Sequence, residues 1–303
     1  MMHAAVLRYF VAVARAGSIR KASEELHVAA SAISRQIMKM EEDLGMPLFE
    51  RLPAGLKLTS AGRAAMEHAE RTLNDYEILK SDLGALRGHK TGTVKIATLD
   101  SLLVDFIPDQ LLAFHARNPN VDFQVRSAAH GRIVHHVAEG EADIGITFDL
   151  ARSQDLDFIG AVPMPLMAMV ASNHRLARAE AVTLTECAQF NLFLQLDTEP
   201  IRSFIDIELS MLQRTGRVLV ASNNLNMIKP LIMAGVGVAF YTPLGMAREI
   251  REGKIVGVPL KGTRLGGLKM GILVPRRRRA THATEAMIDH LCAGLNDVAS
   301  TCR

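Results

Sequence analysis

Residues 17–45 read GSIRKASEELHVAASAISRQIMKMEEDLG, and this run decides how the front of the chain folds. Ser18 is a favoured N-cap for a short helix over Ile19 to Leu26. His27-Val28-Ala29 leaves a tight connection before a second helical run from about Ala30 to Asp43, which Gly45 ends. Two helices around so short a turn are the ingredients of a helix-turn-helix. Helical spacing places Ala22, Leu26, Val28, Ile33, Ile37 and Met40 inward, and it leaves Ser31, Ser34, Arg35 and Lys39 facing out.

Working outward from this run, Val6, Leu7, Phe10, Val11, Val13 and Ala14 recur at helical spacing and predict a preceding helix that Gly17 stops. On the other side, Leu48 to Arg51 and Gly55 to Leu58 flank Pro53-Ala54-Gly55, the pattern of a small hairpin, or wing. Thr59 or Ser60 then caps a long polar helix to about Arg87. Its apolar or small positions Ala65, Ala69, Thr72, Tyr76, Leu79, Leu83 and Leu86 alternate in steps of four and three, a heptad seam. A single apolar edge of this kind is expected to meet a second chain; the alternative is that it packs on the chain's own domains.

After Gly88-His89-Lys90-Thr91-Gly92 the texture changes. Strand candidates are Thr93–Leu99, Val121–Ser127, Ile144–Phe148, Met164–Ala171, Phe190–Leu194, Val218–Ala221, Val236–Thr242, Ile255–Leu260 and Leu268–Val274, with helical segments between most of them. This alternation predicts an α/β architecture with largely parallel sheets, and its length suggests two lobes.

Composition narrows the function. The 303 residues hold 35 Lys and Arg against 32 Asp and Glu, a formal net charge of +3. That is no electrostatic footprint, so contact with nucleic acid must be argued from where the charges lie. No acid occurs from Leu26 to Met40 or from Arg51 to Met66, the stretches assigned to the second helix and to the wing with the start of the long helix. The longest near-apolar stretch, Ile159 to Ala171, is interrupted by Pro163 and Pro165 and is too short for a membrane helix, so no membrane contact is expected. The N-terminus has no basic-then-apolar signal pattern, which implies a cytoplasmic protein. Cys187, Cys292 and Cys302 are too few and too scattered for a disulfide framework or a CxxC metal site. Without Trp and with three Tyr, there is little material for a base-stacking platform, which weighs against a single-strand or RNA binder.

Leu7, Phe10, Val13, Ala14, Gly17, Ser18, Ala22, Leu26, Val28, Ser34, Arg35, Gln36, Ile37, Glu41, Leu44, Gly45, Leu48, Phe49, Arg51, Leu58, Thr59 and Gly62 together closely resemble the N-terminal winged helix-turn-helix of LysR-type transcriptional regulators. Further along, Gly140 to Ile146, His174-Arg175-Leu176-Ala177 and Ala234 to Ala239 extend the resemblance over the whole chain. It implies a winged helix-turn-helix over residues 1–58, a dimerising linker helix over 59–88 and an effector domain over 93–303. That domain is similar to type 2 periplasmic binding proteins, with lobe I at about 93–163 and 267–303 and lobe II at about 164–266. It further implies a dimer, or a tetramer as a dimer of dimers, on double-stranded DNA. Its geometry would answer to a small-molecule effector, with RNA polymerase as a further partner. One departure stands out: where the family usually has Ser-Gln-Pro or Ser-Gln-Ser, this chain has Ala29-Ala30-Ser31. Gln can bond an adenine edge, whereas Ala30 offers only an apolar contact such as a thymine methyl.

The expected DNA contacts are Ala30, Ser31, Ser34, Arg35 and Lys39 on the reading helix, with Arg51 and Lys57 on the wing. Ligands of open α/β sheets sit outside the carboxyl ends of parallel strands. That rule selects Asp100, Ser101, Ser127, Thr147, Thr198, Arg202, Ser222, Asn223 and Thr242 as effector contacts. Alternatives stay open: Asp100 and Ser101 also suit the capping of the next helix, Ser222 and Asn223 the ending of a strand, and Arg202 a solvated helix face. Asp100 would repel an anion; it would favour a hydroxyl- or amine-bearing compound or else pair with a basic residue. No nucleophile elbow, zinc-protease or phosphate-loop motif occurs, and Phe240 spoils a dinucleotide fingerprint at Gly235-Val236-Gly237. The neighbouring His135 and His136 point about 100° apart on a helix and would not chelate one metal together without His130 or other ligands from elsewhere. Neither enzyme chemistry nor a cofactor is expected. The contrasting possibility is a solute-binding or enzymatic α/β protein whose N-terminal helices only oligomerise.

Overall fold

The computed structural model describes residues 2–53, 55–86, 90–150, 154–196, 201–211 and 216–301. They form two compact units, Met1–Leu83 and Gly84–Arg303.

In the first unit, α1 (Met2–Ala16), α2 (Ile19–Leu26) and α3 (Ala30–Leu44) precede a hairpin of β1 (Phe49–Leu52) and β2 (Gly55–Leu58), and α4 (Ser60–Leu86) follows. Local chemistry sets the boundaries. The Ser18 hydroxyl accepts from the Lys21 amide to start α2. His27 ends it in the left-handed region at φ +53°, which non-glycine residues adopt in few places. Gly45, at φ +68°, closes α3. Phe10, Val13, Ala22, Ile33, Ile37 and Leu48 are buried in two small clusters, and Phe49 packs against both. The hairpin pairs Phe49 with Leu58 and Arg51 with Leu56. The Leu56 amide donates to the Gly17 carbonyl at 2.8 Å, which pins the wing to the α1–α2 turn. A Cβ at Gly55 would stand 2.6 Å from that same oxygen, so only glycine fits there.

The second unit contains two five-stranded sheets. Its elements in chain order are β3 (Gly92–Thr98), α5 (Phe106–His115), β4 (Val121–Ser127), α6 (His130–Ala138), β5 (Ile144–Phe148), β6 (Leu156–Pro163), β7 (Met167–Ala171), α7 (Leu184–Cys187), β8 (Leu192–Gln195), α8 (Ile201–Met211), β9 (Val218–Ser222), α9 (Leu225–Met233), β10 (Val238–Tyr241), α10 (Ala247–Arg251), β11 (Ile255–Pro259), β12 (Lys269–Pro275) and α11 (His282–Thr301). The first sheet runs β4-β3-β5-β12-β6 and the second β11-β7-β10-β8-β9. They are the cores of lobe I and lobe II.

Three expectations need correction. The sheets are mixed, each with two parallel and two antiparallel pairings. The strands that arrive from the other lobe, β7 and β12, enter against the direction of their neighbours, and β6 and β11 pair with them antiparallel. The strand expected over Met164–Ala171 starts only at Met167, and the strand before it was not expected. β6 ends at Pro163 on the edge of the first sheet, where a missing N–H is tolerated, and β7 begins at Met167 in the second. The helix that Asp100 and Ser101 were expected to cap does not follow them directly: they form a single 3-10 turn, Asp100–Leu102, and α5 begins at Phe106.

Candidate functional site

The reading helix α3 begins at Ala30 without a side-chain cap, and its buried residues are Ile33 and Ile37. Ser31, Arg35 and Lys39 are exposed on the opposite side, while Ala30 and Ser34 are half-buried. Arg51 and Lys57 are exposed on the wing. The Glu41 carboxylate accepts from the Leu48 amide at 2.7 Å and the Phe49 amide at 3.2 Å, which ties the wing to α3. Glu41 is therefore a positioning residue that sequence reasoning missed. The Ala54 turn position lies outside the described residues.

The linker seam divides. Ala65 and Ala69 pack with Phe10, Val11 and Leu48 in the chain's own core, and Ala69 is fully buried. That corrects their assignment to a contact between chains. The Arg15–Glu70 ion pair at 2.8 Å holds the same face to α1. Thr72 bonds back to the His68 carbonyl at 2.9 Å. Tyr76, Leu79, Leu83 and Leu86 stay exposed, Leu86 to 84%.

In the second unit a cavity of about 200 Å³ lies at the carboxyl ends of the parallel strands, between the lobes. Five of the nine expected residues line it: Asp100 and Ser101 after β3, Ser127 at the end of β4, Asn223 after β9 and Thr242 after β10. Thr147 stands one layer back, with its hydroxyl 2.9 Å from His130 Nδ1. Ser222 makes a turn, its hydroxyl accepting from the Asn224 amide at 3.1 Å. Arg202 is absent from the lining: its Nε donates to Asp206 at 2.7 Å and its Nη1 to the Gln195 carbonyl at 3.4 Å. Thr198 lies outside the described residues.

His130, Gln195 and Tyr241 line the cavity and were missed. The carboxyl-end rule could have found His130, which opens α6 three residues after the end of β4. Burial lowers the His130 pKa, so the imidazole is neutral at physiological pH. Burial also drives the Tyr241 hydroxyl well above its ordinary value; the Gln195 side chain hydrogen-bonds it, opposing the shift, and the Asp100 charge adds to it.

Two polar contacts bridge the lobes. Asp100 Oδ2 accepts from the Leu225 amide at 2.8 Å, at the start of α9. Lys229, 5% exposed, lies 2.8 Å from Glu249 Oε2 within lobe II and 3.8 Å from Asp105 Oδ2 of lobe I.

A search of protein families matches residues 5–63 to the bacterial regulatory helix-turn-helix of the lysR family and residues 87–295 to the LysR substrate binding domain. The chain belongs to the LysR family. Among similar relatives, the HTH-type transcriptional regulator CfxR of Cupriavidus necator is 26% identical, with 85% of this chain and 81% of the relative covered. The transcriptional activator protein LysR of Escherichia coli is 24% identical over 95% of this chain and 92% of its own. Among solved structures, a full-length OxyR variant from Pseudomonas aeruginosa superposes with a TM-score of 0.68 at 17% identity, covering 97% of this chain and 94% of the other. The fold is thus that of LysR-family regulators: a helical reading head followed by a two-sheet effector domain.

Within this LysR-family chain the described cysteines are not poised for redox chemistry. Burial pushes the Cys187 thiol up to about 12, and burial beside Asp289 raises that of Cys292. Cys302 lies outside the described residues. No helix among the described residues is long and apolar enough to cross a membrane.

The buried His130 makes a testable contribution to stability. Its folded pKa lies below the unfolded value, so the unfolded chain takes up a proton first and stability falls as pH drops below about 6.5. His130→Gln should flatten the decline of melting temperature between about pH 6.5 and pH 5. Scanning calorimetry of both proteins checks this, and parallel declines would show that His130 does not carry the effect.

Proposed function

We propose that α3 enters the major groove of an operator and reads it through Ala30, Ser31, Ser34, Arg35 and Lys39, while Arg51 and Lys57 grip backbone or minor groove beside it. A small molecule in the inter-lobe cavity then sets the affinity or geometry with which paired reading heads hold DNA. It must bind one arrangement better than another, since equal affinity shifts nothing. The observation that carries this reading is Arg35, exposed on a helix whose other face is anchored by Ile33 and Ile37, in a stretch of sequence without acids. The chain works as a dimer, with a tetramer built from two, in the cytoplasm where its DNA lies. RNA polymerase is the remaining partner, and no catalytic step or cofactor is assigned.

The test is a gel shift with DNA from upstream of the chain's own gene, at graded salt. A preference over random DNA that persists as salt rises supports the reading. Equal retardation of both would favour a solute-binding protein whose N-terminal helices only oligomerise.

Dimerisation is assigned to the open part of the seam, Tyr76, Leu79, Leu83 and Leu86, because helix faces that leave large apolar side chains in water gain most from a partner. Leu79→Asp with Leu83→Asp should convert the dimer to a monomer in sedimentation velocity, with the melting of the second unit unchanged. An unaltered sedimentation coefficient would move the interface elsewhere.

A further inference from the structure

The geometry points to an effector without net negative charge: a small molecule that presents an ammonium or hydroxyl donor to Asp100 and an acceptor oxygen to the start of α6 and to Thr242. This deepens the effector reading above and rests on it.

Among the described residues that line the cavity, Asp100 is the one formally charged side chain besides the titratable His130. His130 is neutral through burial, and its Nδ1 faces Thr147. The arginines adjacent in sequence to lining residues already have partners: Arg126 has Glu141, and Arg202 has Asp206 and the Gln195 carbonyl. Among the described lining residues, an anion entering here meets a carboxylate and no cation.

Helix N-termini are the usual substitute for a cation, and two open on this site. At α9 the seat is filled from within: Asp100 takes the Leu225 amide and the Asn224 side chain takes the Asn226 amide. The protein's own carboxylate occupies the place an anionic ligand would use. At α6 no side chain caps the helix, and Ala128, Ala129 and His130 form part of the cavity wall. That end suits an acceptor oxygen.

Thr242 supplies an independent sign of a ligand. Thr242 belongs to the wall, is 2% exposed as a residue, and its buried hydroxyl has no hydrogen-bond partner among the described residues. Buried hydroxyls left unpaired are costly, and a ligand oxygen satisfies this one. Asp100 also has capacity to spare, because a carboxylate offers about four lone-pair sites and Leu225 uses one. A donor group on the ligand therefore adds to the bond that joins the lobes instead of replacing it. A cavity of about 200 Å³ suits a small organic molecule. Amino acids and short polyols have this size and both kinds of group.

The test is a thermal-shift screen of the full-length chain, followed by calorimetry, with three sets of probes. These are the protein amino acids with short alkyl diamines, the tetritols to hexitols with the matching aldoses, and short mono- and dicarboxylates. Stabilising compounds are expected in the first set or the second, which separates an amine from a hydroxyl as the donor. Asp100→Asn keeps an acceptor for Leu225 but removes the charge; it should weaken an amine-bearing probe about tenfold or more and a polyol less. Thr242→Val should weaken either while raising the melting temperature of the unliganded chain, because an orphaned hydroxyl is gone. Stabilisation by carboxylates alone, or binding that improves in Asp100→Asn, overturns the inference and leaves the effector reading standing. Stabilisation by no probe in any set overturns both.

Discussion

Arg35→Ala is expected to abolish specific operator binding while leaving a folded dimer. A guanidinium forked onto guanine O6 and N7 is worth about 1–3 kcal/mol of discrimination, and a dimer spends it twice. The loss is then about 2–6 kcal/mol, roughly 30-fold to more than 10⁴-fold in affinity for the specific site. Stability should be unaffected, because Arg35 is exposed and the core of this unit is made by residues such as Phe10, Ile33 and Ile37. Arg35→Lys separates the two contacts the side chain can make. A lysine retains a phosphate contact as a point charge but cannot reproduce the fork, so it restores salt-dependent affinity without specificity. Footprinting and circular dichroism on the three proteins read both quantities. A footprint unchanged in Arg35→Ala would remove this residue from the reading surface.

The reading head was legible because its signals are local. Ser18, His27-Val28-Ala29 and Gly45 act within one turn of where they sit, and the structure uses them as cap, connection and stop. The long helix shows where such reading ends. Ala69 and Leu83 belong to one heptad pattern, yet one is buried on the chain's own α1 unit and the other is half exposed. Periodicity marks an apolar edge and is silent about which surface covers it.

The cleft shows the same limit in three dimensions. The carboxyl-end rule finds Asp100, Ser101, Ser127, Asn223 and Thr242 because it depends only on where parallel strands end. His130 depends on where a helix starts, and Gln195 and Tyr241 on how far a strand runs and which face it turns to the lobe interface. Those are the boundaries that sequence patterns define least sharply. The contact between Asp100 and Leu225 joins residues 125 positions apart, and no spacing rule reaches across two lobes.

Lys229 carries the largest expected effect on stability. It lies in α9, which reads as an ordinary amphipathic helix, and its ammonium is nearly buried between carboxylates from both lobes. Asp105 Oδ2 and Glu249 Oε2 have no hydrogen bond of their own among the described residues, so the ammonium is what balances them. Lys229→Met preserves the stem and removes the charge. Breaking a buried ion pair from one side costs about 3–5 kcal/mol, and the residual solvent contact of Asp105 places this case near 3 kcal/mol. For a unit of this size that is a fall in melting temperature of about 6–12 °C. The decisive control is Lys229→Met combined with Asp105→Asn and Glu249→Gln. If the damage comes from stranded carboxylates, neutralising them recovers most of the loss, since an uncharged cluster no longer pays for burying charge. If it comes from lost packing of the lysine stem, the triple variant is no better than the single one. Urea unfolding followed by circular dichroism distinguishes the outcomes, and a single-variant cost below about 1 kcal/mol would show that the ammonium does not hold the lobes together.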